Sequence, residues 1–124
     1  MLKVLVVDDE PDVRLIARMV LTAADFEVVE VRSGAEAIAE LGAGPPPDVV
    51  LLDIRMPGLD GWAVLRHVRA HAELGEVAVV VFTADLSARA EAPEELRERD
   101  VLITKPFDAD DLLRAVQTAV SGSA

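Results

Sequence analysis

Val49-Val50-Leu51-Leu52-Asp53-Ile54-Arg55-Met56-Pro57-Gly58-Leu59-Asp60-Gly61 decides the fold. Four apolar residues, two of them β-branched, run into an acid, and beyond Ile54 the chain breaks into a Pro/Gly loop. An uninterrupted apolar run of this length reads as a strand covered on both faces, as in the middle of a parallel sheet. Asp53 then stands where strand gives way to loop. In open α/β sheets ligands bind at the carboxyl ends of the strands. A carboxylate there is placed to meet a ligand, a metal or a phosphoryl donor. Taken alone, capping of a loop amide is the simpler role for it, and the rest of the chain shifts that balance.

Upstream, Lys3-Val4-Leu5-Val6-Val7 is a β-branched strand pattern followed by Asp8-Asp9-Glu10. Pro11 suits the first turn of a helix, and Val13, Ile16, Ala17, Val20, Leu21 and Ala24 repeat at helical spacing after it. Residues 27–31 form a second strand. Ser33 and Glu36 fit a capping box opening a helix to about Leu41. The Gly/Pro run at 42–47 breaks it. Downstream, Asp60-Gly61 leads into a helix with Trp62, Leu65, Val68 and Ala72 on one face. Residues 77–82 are a further buried strand ending at Thr83. Residues 86–99 are charged and alanine-rich, a helix that Pro93 should interrupt. Residues 101–104 are the last strand, and Lys105-Pro106-Phe107 follows. Asp108 caps a final helix whose inner face is Leu112, Leu113, Val116 and Val120.

Five strands alternating with five helices give an α/β domain with a parallel sheet covered on both faces. The flavodoxin-like, doubly wound order 2-1-3-4-5 is expected, with its switch point between strands one and three. There is no internal repeat and no domain boundary. One domain is expected over residues 1–120, with 121–124 a frayed end or the start of a linker.

The 124 residues are 52% hydrophobic but only 3% aromatic, so the core must be built from Val, Leu, Ile and Ala. No apolar run is long enough for a transmembrane helix, and the amino terminus does not read as a signal peptide. With no cysteine, these features suggest a soluble protein of the cytoplasm. The net charge of -11 argues against nucleic-acid binding by this chain, because that affinity is built on Lys and Arg neutralising phosphates. Only Lys3 and Lys105 are lysines, against ten arginines, which singles out Lys105.

In the expected order, Asp8 and Asp9 end strand one, Asp53 strand three, Thr83 strand four and Lys105 strand five. Each has a bland explanation: capping, ordinary strand composition, solvation. Together they converge at one end of the sheet. Clustered carboxylates repel one another, so they hold protons or bind a cation. Oxygen-only ligands suit a hard ion such as Mg²⁺. A cation and Lys105 can neutralise charge on a phosphoryl group, Thr83 can donate to it, and a carboxylate attacking phosphorus gives an aspartyl phosphate.

Over essentially its whole length, the sequence resembles the receiver domain of bacterial two-component response regulators, including the single-domain chemotaxis-type regulators. The resemblance rests on Asp8-Asp9, on Asp53 with Met56-Pro57-Gly58 and Asp60-Gly61, on Thr83-Ala84, and on Lys105-Pro106-Phe107. It implies that Asp53 accepts a phosphoryl group from a histidine kinase or a histidine phosphotransfer protein. It implies Mg²⁺ bound by Asp8, Asp9, Asp53 and the backbone carbonyl of Arg55, and Thr83 and Lys105 contacting the phosphoryl group. A cis peptide before Pro106 is also implied. The chain would be a signalling domain and not an enzyme beyond its own phosphorylation and dephosphorylation, switching protein contacts with neither membrane nor nucleic acid as partner.

The sequence departs from the family at several places. Leu102 stands where Tyr or Phe usually forms the aromatic half of the switch. Glu98-Arg99 replaces a common Gly-Ala, and Pro93 lies inside the fourth helix, so the output face of helix four, strand five and helix five is unusual. Arg55 and Asp85, opposite in charge across the mouth of the site, are candidates to pair and hinder attacking water; the alternative is two solvated side chains. Two other readings are a pseudo-receiver acting without phosphorylation and a haloacid-dehalogenase-like phosphatase. The phosphatase needs an aspartate where Arg55 stands.

Overall fold

The computed structural model describes residues 1–84, 87–97, 100–105 and 108–122. Strands β1 (Lys3–Val7), β2 (Glu27–Val31), β3 (Val49–Asp53), β4 (Ala78–Thr83) and β5 (Val101–Thr104) form one parallel sheet in the order β2-β1-β3-β4-β5. Between and after them lie helices α1 (Pro11–Ala23), α2 (Gly34–Leu41), α3 (Gly61–Ala70), α4 (Ala88–Glu91) and α5 (Ala109–Gly122). The doubly wound α/β order read from the sequence is the one observed.

The continuous apolar runs resolve into two alternating sets, because successive side chains on a strand point to opposite faces. Leu5, Val7, Val50, Leu52, Val79 and Val81 pack with Ala37, Leu41, Trp62, Leu65 and Val68 of α2 and α3. Val4, Val6, Val49, Leu51, Val80 and Phe82 pack on the other face with Ala17, Leu21, Leu112 and Val116 of α1 and α5. Full burial of each such side chain is worth about 1.5–3 kcal/mol, so the three central strands anchor the molecule.

Local signals worked where backbone chemistry is decisive. The Ser33 hydroxyl accepts from the Glu36 amide at 3.1 Å, while the Glu36 carboxylate reaches back one residue further than a standard capping box, to the Arg32 amide at 3.0 Å. Asp108 accepts from the Asp111 amide at 2.8 Å and so caps α5.

Several expectations need correction. Ile16 is 51% exposed; the stripe that faces the sheet is Ala17 and Leu21, flanked by Val13 and Val20, and Ile16 falls outside it. Ala72 does not extend the inner face of α3, which ends at Ala70; exposed Ala72 opens a 3-10 turn (Ala72–Leu74) that buries only Leu74. The fourth helix is one turn of four residues. Pro93 cannot donate to a helix, and the residue before a proline, here Ala92, is pushed toward extended backbone. Helix α5 runs through Ser121 to Gly122, and partly buried Val120 packs against the core.

Candidate functional site

Strand register brings the polar residues into line. Val7 of β1 pairs with Leu52 of β3, so Asp8 emerges beside Asp53. Asp53 pairs with Phe82, which puts Thr83 one step beyond it on β4. Thr83 pairs with Thr104, and the Lys105 amide donates to the Thr83 carbonyl at 2.8 Å. Four strands thus end in Asp8, Asp53, Thr83 and Lys105 along one edge, at the switch point between β1 and β3.

The loop after β3 fixes the floor. The Gly61 amide donates to the Ile54 carbonyl at 2.9 Å, and a Cβ at position 61 would lie 2.3 Å from the Asp53 carbonyl oxygen. Only glycine lets α3 start this close to the end of β3. Gly58 has φ +77°, the left-handed region that lets the loop turn back. Asp60 then caps α3, accepting from the Ala63 amide at 3.0 Å. The Pro/Gly motif is therefore the mount that holds Asp53.

Asp8, Asp53 and Thr83 are buried, while Asp9 and Glu10 are exposed. Carboxylate oxygens of Asp8, Asp9, Glu10 and Asp53 all lie within 4.8 Å of one another. The Lys105 ammonium sits among them, 3.0 Å from Asp8 Oδ2, 2.9 Å from Glu10 Oε1 and 3.6 Å from Asp53 Oδ2. Its charge also lies 5.0 Å above the Phe82 ring centroid. An open cleft of about 300 Å³ is lined by Glu10, Asp53, Arg55, Thr83, Ala84 and Lys105.

The electrostatics follow from crowding. Burial, then the neighbouring Asp8 charge, pushes the Asp53 carboxyl up to about 6, against the pull of Lys105 and of the Arg55 backbone amide, which donates to it. Burial likewise raises Asp8, opposed by the Glu10 amide, 2.8 Å from its Oδ1, and by Lys105. Burial works against the Lys105 ammonium, but bonds to Glu10 and Asp8 and the charge of Asp53 outweigh it and raise its pKa. Four oxygen-bearing acids, two of them held at the expense of their own ionisation, form a hard donor set that fits a divalent cation such as Mg²⁺.

Asp8, Asp9, Asp53, Thr83 and Lys105 come together at this end of the sheet, and Arg55 lines the same cleft. Asp85, its expected partner, lies outside the described residues, as do Glu98, Arg99, Pro106 and the peptide before it, and Phe107. Among the described residues, Arg55 forms an ion pair with Glu91 of α4, which also accepts from the Ser87 hydroxyl at 3.2 Å. Leu102 is half-buried against the α2–α3 core. Glu10 was missed. Its signal was positional: it precedes Pro11 at the N-cap, where Ser, Thr, Asp or Asn is preferred, so its carboxylate is poorly suited to capping.

An acid-lined cleft at the switch edge of a flavodoxin-like sheet, with a hydroxyl and an ammonium facing it, defines a domain built to handle a phosphoryl group. The chain belongs to the response regulator receiver domain family, whose sequence profile matches residues 4–117. It is 36% identical over 116 residues to the DNA-binding transcriptional regulator NtrC of Escherichia coli (strain K12), covering 94% of this chain and 24% of that protein. It is 32% identical over 123 residues to Protein PilH of Pseudomonas aeruginosa, covering 98% of this chain and 100% of that one. The solved structure of response regulator protein TrrA from Thermotoga maritima in complex with Mg²⁺-BeF matches with a TM-score of 0.84 at 28% identity, covering 96% of this chain and 99% of that chain. The chain spans 24% of the length of the NtrC proteins that it matches first. Receiver domains are signalling units of two-component systems that take a phosphoryl group from histidine kinases and bind Mg²⁺ at an acidic site. Among the described residues, no helix is long and apolar enough to cross a membrane.

Proposed function

We propose that Asp53 is the phosphoacceptor of this chain, charged by a histidine kinase or a histidine phosphotransfer protein with Mg²⁺ held by Asp8, Asp9, Asp53 and the Arg55 backbone carbonyl. The observation that carries this reading is the meeting of four strand ends: the Lys105 ammonium lies 3.0 Å from Asp8 and 3.6 Å from Asp53, with Thr83 lining the same cleft.

One Asp53 oxygen attacks the phosphorus of a phosphohistidine. The O–P bond forms as the P–N bond breaks, and the electron pair leaves with the imidazole nitrogen, which is protonated. Lys105 moves from its carboxylates to a phosphoryl oxygen, and the Thr83 hydroxyl donates to another. Bound Mg²⁺ supplies positive charge against the crowded oxygens. Water later attacks the acyl phosphate, releasing inorganic phosphate and regenerating the Asp53 carboxylate. The same reading places the chain in the cytoplasm with its phosphodonor, and its output in protein contacts on the α4, β5 and α5 face. Arg55, paired with Glu91, stands where a haloacid-dehalogenase-like phosphatase would need an acid/base aspartate.

Intact-mass analysis after incubation with Mg²⁺ and acetyl phosphate tests this. One added phosphoryl group, about 80 Da, absent in Asp53→Asn and in EDTA, is expected. No adduct in the wild-type chain, or one that survives Asp53→Asn, would move the reading to a pseudo-receiver or to a different acceptor.

A further inference from the structure

Glu10 stands at the N-cap of α1 with extended backbone (φ −91°, ψ 116°), yet its side chain makes no capping hydrogen bond. The carboxylate turns instead to the Lys105 ammonium at 2.9 Å, while its own backbone amide donates to Asp8. Lys105 therefore has two partners at hydrogen-bond distance, Glu10 and Asp8, and stands off from Asp53 at 3.6 Å. Glu10 is 60% exposed and Asp8 fully buried, so the pair holds the ammonium between rim and floor.

We infer that Glu10 is a positioning residue: by sharing the Lys105 ammonium with Asp8 it holds that charge back from Asp53 and weakens its hold on the buried carboxylates, and so eases entry of a divalent cation into the acidic cluster. The inference rests on the reading of the site proposed above. Without Glu10, the acids nearest the ammonium are Asp8 and Asp53, the two buried carboxylates of the cluster. An ammonium settled between them competes with a cation for the same oxygens, and at this depth the competition is only weakly screened. The direct pull of Glu10 on a cation is weaker, because its carboxylate is largely in water.

A double-mutant cycle on Mg²⁺ affinity, followed through backbone amide shifts, separates the two effects. Glu10→Gln is expected to raise the Mg²⁺ dissociation constant about fivefold in the wild-type background, and less than about twofold in Lys105→Met. A purely structural role, or direct ligation by Glu10, gives equal losses in both backgrounds and overturns the inference while leaving the site reading intact. A wild-type chain that binds no Mg²⁺ overturns both. Because the readout is binding, it does not depend on phosphorylation of any variant.

Discussion

Val49-Val50-Leu51-Leu52 and Val101-Leu102-Ile103-Thr104 are similar short runs, and the fold treats them differently. Every residue of β3 is buried, whereas β5 is half-buried and its last residue exposed. Strand β3 has β1 and β4 beside it and helices over both faces, while β5 lies at the edge of the sheet with only β4 beside it. Composition makes a strand, but its place in the sheet decides how firmly it is held. The site uses both regions. Asp8, Asp53 and Thr83 hang from the buried centre, and Lys105 comes from the edge strand, with Arg55 reaching α4 through Glu91. On the proposed function, the groups that would make the phosphoryl bond stand on buried backbone, and those that would respond to it stand on backbone with less burial to hold it.

The sharpest contrast is between core truncations. Leu51 is fully buried, and Leu51→Ala should cost about 3–5 kcal/mol through lost transfer energy and a cavity. Leu102→Ala on half-buried β5 should cost about 1 kcal/mol. Urea unfolding measures both, and similar losses would break the contrast.

A buried ion pair complicates the edge. Arg69 at the end of α3 makes two 2.8 Å bonds to Asp100, just before β5, and a third of 2.8 Å to the Val77 carbonyl. Asp100 also accepts from the Val79 and Arg97 amides. The two side chains are only 4% and 0% exposed. Removing one partner leaves an uncompensated buried charge, so Arg69→Met should cost about 3 kcal/mol, far more than Leu102→Ala. The start of β5 is thus pinned by charge where its apolar packing is thin. A loss under about 1 kcal/mol would show that water reaches this pair.

Asp53 gives the opposite sign. Its carboxyl is raised from 3.8 to about 6 in the folded chain, so the native state holds its proton more tightly than the unfolded state. Stability therefore falls as pH rises between those values, and the whole penalty is present above the folded value. Asp53→Asn should stabilise the metal-free chain at pH 8 by about 2 kcal/mol, allowing for the partner that Lys105 loses, and the gain should fade toward pH 4. Denaturant titrations in EDTA at several pH values measure it. A gain independent of pH would mean that crowding of charge is not its cause.

Much of this was legible in the chain. The strands read correctly because buried parallel strands are continuous apolar runs, and the polar residues at their ends could be placed together because they stand at or just after such runs. What stayed hidden depends on distance in sequence. Nothing local links Arg69 to Asp100 or Glu10 to Lys105, and neither pair could be drawn before the sheet order set their separation in space. Ile16 shows a subtler limit: helical spacing marks a broad stripe, and only the packed sheet decides which margin of it is covered. Pro93 did signal the break in the fourth helix, but not that a single turn would remain.

The central claim is that the buried centre makes the phosphoryl bond and the loosely packed edge responds to it. Hydrogen exchange on the chain before and after phosphorylation, followed by peptide, tests it directly. The account predicts that β1 and β3 stay protected in both states while the change falls on residues 87–105. A change confined to residues 11–41, or spread evenly over the sheet with residues 87–105 no different from the rest, would contradict it.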